Sequence, residues 1–237
     1  MEFTLDIALV REILEQERRR VGHEIRDLGV LGALASSQQR HDARIEAAPD
    51  FSTLACRTDC TWCCHFTVDV RAVEVFSILD FVDQTFTSDE RNRVYAEVHA
   101  NSVALQGMDE DTRATRNVKC PFLKEGRCTV YAVRPQTCRN YHATDAAGCR
   151  QSYEEPDNLD IDPEFAPGVY QAGGAHVEAV SIAMSAAGYD VKAYELNGAL
   201  NAALENPGSR ERFASRLEPF ATLSGAEVPL EFDDLES

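Results

Sequence analysis

Apolar residues recur near the start of the chain at Ile7, Val10, Leu14, Val21, Ile25, Leu28 and Leu31. Steps of three, four and seven mark one face of an α-helix. The pattern predicts one or two long amphipathic helices over residues 4–44, with Thr4 as the N-cap and a bend near residue 30, where Gly29 and Gly32 interrupt the run. Glu17 falls on the seam and the regular pattern lasts about three heptads, so a packing helix is favoured over a dimerising coiled coil. Val70, Val73, Phe76, Leu79 and Phe81 then predict a buried helix over 69–86, too long for a single strand, with Asp69 as its cap. Thr87 followed by Glu90 is a capping box. The helix it opens has Val94, Val98 and Leu105 on one face and is expected to end near Gly107.

A different pattern begins at Cys120-Pro121-Phe122-Leu123, turns at Glu125-Gly126 and returns through Arg127-Cys128-Thr129-Val130-Tyr131. It predicts a small hairpin with a cysteine on each arm. Pro135 suits the first turn of a short helix carrying Cys138. Three prolines among six acids make 153–167 an extended connector. Helical periods return over 169–184, 192–204 and 209–217, before an acidic tail. The expected fold is mainly α: a helical domain with a small β-hairpin, built around a cysteine-rich metal site. Its parts are an amino-terminal arm (1–48), a cysteine-cluster domain (49–152), the connector (153–168), carboxy-terminal helices packing on the same domain (169–220) and the tail (221–237).

The 237 residues carry a formal net charge of −17, a field that repels phosphate backbones and anionic lipid. Nucleic acid and membranes are therefore not expected as partners, and no apolar run reaches the ~18 residues of a membrane span. The opening stretch has two acids and no basic segment, so a cytoplasmic location is expected.

Eight cysteines are too few for a disulfide scaffold of this size and are expected to stay reduced in the cytoplasm, which points to metal or thiol chemistry. Four lie within nine residues: Cys56, Cys60, Cys63 and Cys64. Two thiolates two residues apart, as in Cys60 and Cys63, reach one metal from a single turn of backbone. Cys64 diverges from its neighbour, so it faces a second metal or stays a structural thiol. Cys120, Cys128, Cys138 and Cys149 are widely spaced and only tertiary folding brings them together. Cys56, Cys60 and Cys63 fill three corners of a site at little loop-closure cost, and at least one distant cysteine is expected to complete it. That closure would clamp the two regions together.

In this order, the double cysteine, Cys120-Pro121-Phe122-Leu123, Cys128-Thr129-Val130-Tyr131, Arg134-Pro135 with Cys138-Arg139, and Cys149 resemble the YkgJ-type cysteine-cluster family of zinc- or iron-chelating proteins. The cysteine region of flagellin lysine N-methylase is related to that family. The resemblance covers about residues 55–150 and implies a compact metal site with all eight cysteines as candidate ligands. Zn2+ and a 4Fe-4S iron-sulfur cluster both suit thiolate-rich ligation. The loop Cys56-x3-Cys60-x2-Cys63 also matches the cluster loop of radical S-adenosylmethionine enzymes and favours iron-sulfur. Those enzymes carry it on alternating strands and helices, which this pattern lacks.

His65 and His142 flank the clusters as neighbours of ligand sulfurs. Arg134 and Arg139 balance cluster charge or bind an acidic substrate, and Tyr131 and Tyr141 screen the metal or pack the core. His176 is expected to be structural. Two further readings stand beside the metal protein: a cluster-dependent protein lysine N-methylase, whose acidic surface suits a lysine-bearing protein partner, and a thiol redox sensor in which Cys63 and Cys64 exchange with a resolving cysteine. No phosphate-cradling loop, serine triad or His-Glu-x-x-His is present.

Overall fold

The computed structural model describes residues 6–57 and 59–227. Helix α1 (Ile7–Glu46) is capped by Asp6, whose carboxylate accepts the Leu9 amide at 3.0 Å. Thr4, the expected cap, lies outside the described residues. The helix breaks at Gly29, where φ is 74° and ψ 169°, a conformation that glycine adopts without steric cost. The chain folds back there, because Glu17 meets Ser37 and Arg40 while Glu24 meets Ser36 and Arg40. Ile7 and Leu28 belong to the predicted stripe but are exposed, Leu28 because it abuts the break.

Helix α7 (Pro167–Ala186) packs along this folded arm. Its small residues Ala172, Ala175 and Ala179 meet Val10, Ile13 and Leu14, allowing close approach of the backbones. Its first turn is held from a distance, since the Asp50 carboxylate accepts the amides of Gly168 and Val169 at 2.6 and 3.0 Å. These are donors that a helix start leaves unpaired.

The main core lies between α2 (Ala72–Thr85), α3 (Ser88–Leu105), α8 (Leu196–Glu205) and α9 (Gly208–Ala214). Val70, Val73, Phe76, Leu79 and Val82 are buried there, with Phe76 5.3 Å from Phe213. Asp69 is not the cap of α2. It pairs with Val70 as strand β1 (Asp69–Val70), antiparallel to a strand at Tyr194–Glu195, and the helix starts behind Arg71. The helix expected from residue 192 accordingly starts only at Leu196. A two-residue strand carries no alternation that a pattern search detects.

The capping box of α3 forms as expected, with Thr87 and Glu90 bonded reciprocally and Val94, Val98 and Leu105 buried. The helix ends at Leu105, before Gly107 at φ 77°. Thr87→Ala is expected to cost about 1 kcal/mol, read as a lowered urea midpoint. Helix α4 (Glu110–Ala114) follows, short and without a buried residue.

The hairpin forms from β2 (Leu123–Lys124) and β3 (Arg127–Cys128), with Leu123 opposite Cys128 and positive φ at Glu125 (53°) and Gly126 (74°). The strand at Tyr194–Glu195 is β4. Helix α5 (Gln136–Asn140) follows Pro135 and carries Cys138, and α6 (Ala146–Glu154) carries Cys149. The fold is mainly α with short antiparallel strands, as the pattern predicts. Helix α5 is wedged against α7, where a Cβ on Gly173 would stand 1.8 Å from Asn140 Oδ1. Gly173→Ala is therefore expected to cost ~1–3 kcal/mol through overpacking, measurable by urea unfolding.

Candidate metal centre

All cysteines but Cys149 line one cavity of about 650 Å³. Two separate sets of backbone contacts build it. On one side the Cys64 carbonyl accepts the Cys120 amide at 2.8 Å, and the His65 carbonyl accepts the Val118 amide at 2.8 Å. This lays 118–120 along the short turn Trp62–His65. The chain then turns through Leu123 N–H to Cys120 C=O into the hairpin that carries Cys128. Helix α5 brings Cys138 to the same wall, its Gln136 amide held by the carboxylate of Glu74.

On the other side the Ala55 amide donates to the Ala143 carbonyl at 2.9 Å, and Cys56 Sγ accepts the Ala143 amide at 3.4 Å. That loop leads through Asp145, the N-cap, into α6 and Cys149. The rings of Trp62 and His65 pack on Tyr153 of the same helix, with centroids 5.5 and 4.9 Å away.

The charges felt by Cys149, Cys120 and Cys138 follow the same division, whereas Cys63 feels both groups. Cys149 is pushed up to about 11, first by burial and then by Cys56 and Cys60. The Tyr141 hydroxyl is raised by burial and then by Cys149, Cys63 and Cys56. On the hairpin side, burial pushes Cys120 up to about 12, with Cys128 and Cys64 among its neighbours. Cys138 is raised by burial, then by Cys120, Cys128 and Cys64. Cys63 and Cys64 sit between the groups, and their mutual interaction raises Cys63 and lowers Cys64.

Thiols crowded and buried in this way resist ionising alone, and a bound cation supplies the missing charge. The donor set therefore fits a thiolate-bound metal. Among the described residues no three His, Cys, Asp or Glu side chains are drawn together tightly enough to hold an ion. All eight thiols are free, with no disulfide among them.

The flanking residues divide. His142 lines the cavity and is neutral, held down to about 4 by burial and by His41 and Arg134. His65 faces Tyr153, and burial lowers it as well. Arg134, Tyr131 and Tyr141 line the cavity, and Arg139 is buried beside it. His176 lies away from the thiols, between α1 and α7, in the structural role expected of it. Asp42 and Glu74 escaped the sequence reading. Glu74 left a trace, as an acid in the middle of a buried apolar period. Asp42 left none, because it reaches the site only through the fold-back of α1.

The described strands form only two-residue antiparallel pairs, so the likeness to the radical S-adenosylmethionine loop does not extend to a barrel. Among the described residues no helix is long and apolar enough to cross a membrane. Neither a curated protein nor a solved structure matches the chain significantly. Residues 55–161, just under half of the chain, match the family model CxxCxxCC, described as "Putative zinc- or iron-chelating domain". The segment that holds all eight cysteines is thus similar to this zinc- or iron-chelating domain, in keeping with the cysteine-cluster family that its motifs resemble.

Proposed function

We propose that the chain is a metal-binding protein whose eight thiols form two centres of four ligands each. The first takes Cys56, Cys60, Cys63 and Cys149; the second takes Cys64, Cys120, Cys128 and Cys138. The observation that carries this reading is the split at the vicinal pair. Cys64 is bonded through its backbone to Cys120, whereas Cys56 is bonded to the loop that joins α5 and Cys138 to α6 and Cys149, and the thiols whose charge reaches Cys149 are Cys56 and Cys60. Placing Cys64 with Cys120 leaves Cys63 as the member of the vicinal pair for the first centre.

Four thiolates suit Zn2+ and a 4Fe-4S cluster alike. The Cys56-x3-Cys60-x2-Cys63 spacing favours a cluster at the first centre. Either way the metals tie α6 to the loop at one end and the hairpin with α5 to its other end, so folding of 55–149 is coupled to metal. Purification without oxygen tests this. Visible absorbance with iron and acid-labile sulfide supports clusters, and colourless protein with stoichiometric zinc supports two zinc sites. Metal-free protein of undiminished thermal stability would overturn the reading and favour thiol redox chemistry.

A further inference from the structure

The wall that carries Cys128 and Cys138 also holds positive charge that ligation by thiols does not use. Arg139, next to Cys138, is 1% exposed. Its Nη1 donates to Asp42 Oδ2, its Nη2 donates to the Ala132 carbonyl at 2.8 Å, and its Nε is buried without a partner. Arg134 lines the cavity, stacked 3.8 Å over the Tyr131 ring and 3.5 Å from the other Asp42 oxygen. Glu74, 1% exposed, accepts the amides of Arg71 and Gln136 and lies in the field of Arg71 and Arg139. Two guanidiniums, those of Arg134 and Arg139, thus share the single carboxylate of Asp42, a surplus of one positive charge. Four thiolates around a divalent ion carry two negative charges, costly to bury without compensation. The fields of both Arg134 and Arg139 reach Cys128.

We propose that Arg134 and Arg139 are the charge-compensating shell of the second centre, and that Asp42 of α1 sets how much of their charge the centre receives. The buried Nε–H of Arg139 has no partner among the described residues. Asp42 lies outside the family segment, so the amino-terminal arm becomes part of the centre and not only a packing layer. The inference rests on the two-centre reading.

The test isolates the second centre in a Cys60→Ser background and measures Zn2+ affinity by competition with a chelator. Arg134→Gln is expected to weaken Zn2+ about tenfold, the range found for partners of metal ligands, and Arg134→Lys to recover most of it. Asp42→Asn is expected to tighten Zn2+ by about threefold through the same charge effect, even as it destabilises the metal-free protein by freeing buried Arg139. The opposite signs are decisive, because a purely structural role weakens binding in both variants. Unchanged affinity in both, or loss in both, overturns the compensating shell. Failure of the Cys60→Ser protein itself to bind Zn2+ overturns the two-centre reading on which it stands.

Discussion

Cys64→Ser is expected to empty the second centre and release the hairpin and α5, while Cys60→Ser empties the first and releases α6 instead. A structural zinc site supplies ~10–16 kcal/mol of apparent binding free energy to the fold that forms it. Losing one of four ligands should therefore remove ~5 kcal/mol or more from the metal-bound protein, comparable with the whole net stability of a typical domain. Hydrogen exchange resolves the two effects. Cys64→Ser should abolish protection around Phe122 to Val130 and leave the amides of 149–154 slow, and Cys60→Ser should do the reverse. Equal loss in both segments from either variant would mean one shared centre.

The second large effect lies away from the cysteines. Glu17 is 2% exposed and takes a fork of hydrogen bonds from Arg40, at 3.0 Å from Nε and 2.6 Å from Nη2, with Ser37 Oγ donating at 2.8 Å. Burial pushes its carboxyl up, but Arg40, His176 and Ser37 more than offset this and hold it below the usual range. Glu17→Ala leaves Arg40 with Glu24 as its remaining carboxylate and Ser37 and His176 without theirs, and is expected to cost ~1–3 kcal/mol in urea unfolding.

His176 makes the same cluster sensitive to acid. Arg44 Nε donates to its Nδ1, and Ser37 and Glu17 face its Nε2. Burial holds it down to about 3. A histidine whose folded value lies below the ordinary ~6.5 contributes stability that is full above that pH and is lost as pH falls toward the folded value. Glu17 adds a loss of the same sign below its ordinary ~4.3. Urea midpoints should therefore fall with pH from ~6.5 downward, and His176→Gln should flatten the upper part of that slope. A wild-type midpoint constant between pH 6.5 and 4.5 would contradict the neutral buried histidine.

Long periods and caps made most of the helices legible. The Gly29 break, the Thr87–Glu90 box and the Glu125-Gly126 turn each stand where local sequence alone dictates the backbone. What escaped was non-local. Strand β1 is two residues held by partners 124 and 126 positions away, and Asp50 caps a helix that begins at Pro167. At the site, the cluster of Cys56, Cys60, Cys63 and Cys64 was readable, as was the need for tertiary folding to bring the distant cysteines near it. Which of them approach which was not, because Cys120 meets Cys64 and the loop before Cys149 meets Cys56 through contacts across the fold. The glutamate that spoils a coiled-coil seam at position 17 was visible, while its partners Arg40 and His176 required the folded arm and α7.

The central claim is two thiolate centres per chain, and metal stoichiometry tests it most directly. Protein purified without oxygen should carry two centres by elemental analysis. Cys60→Ser and Cys64→Ser should each retain one, and the double variant none. A wild-type chain holding a single centre, lost entirely from either single variant, would contradict the account.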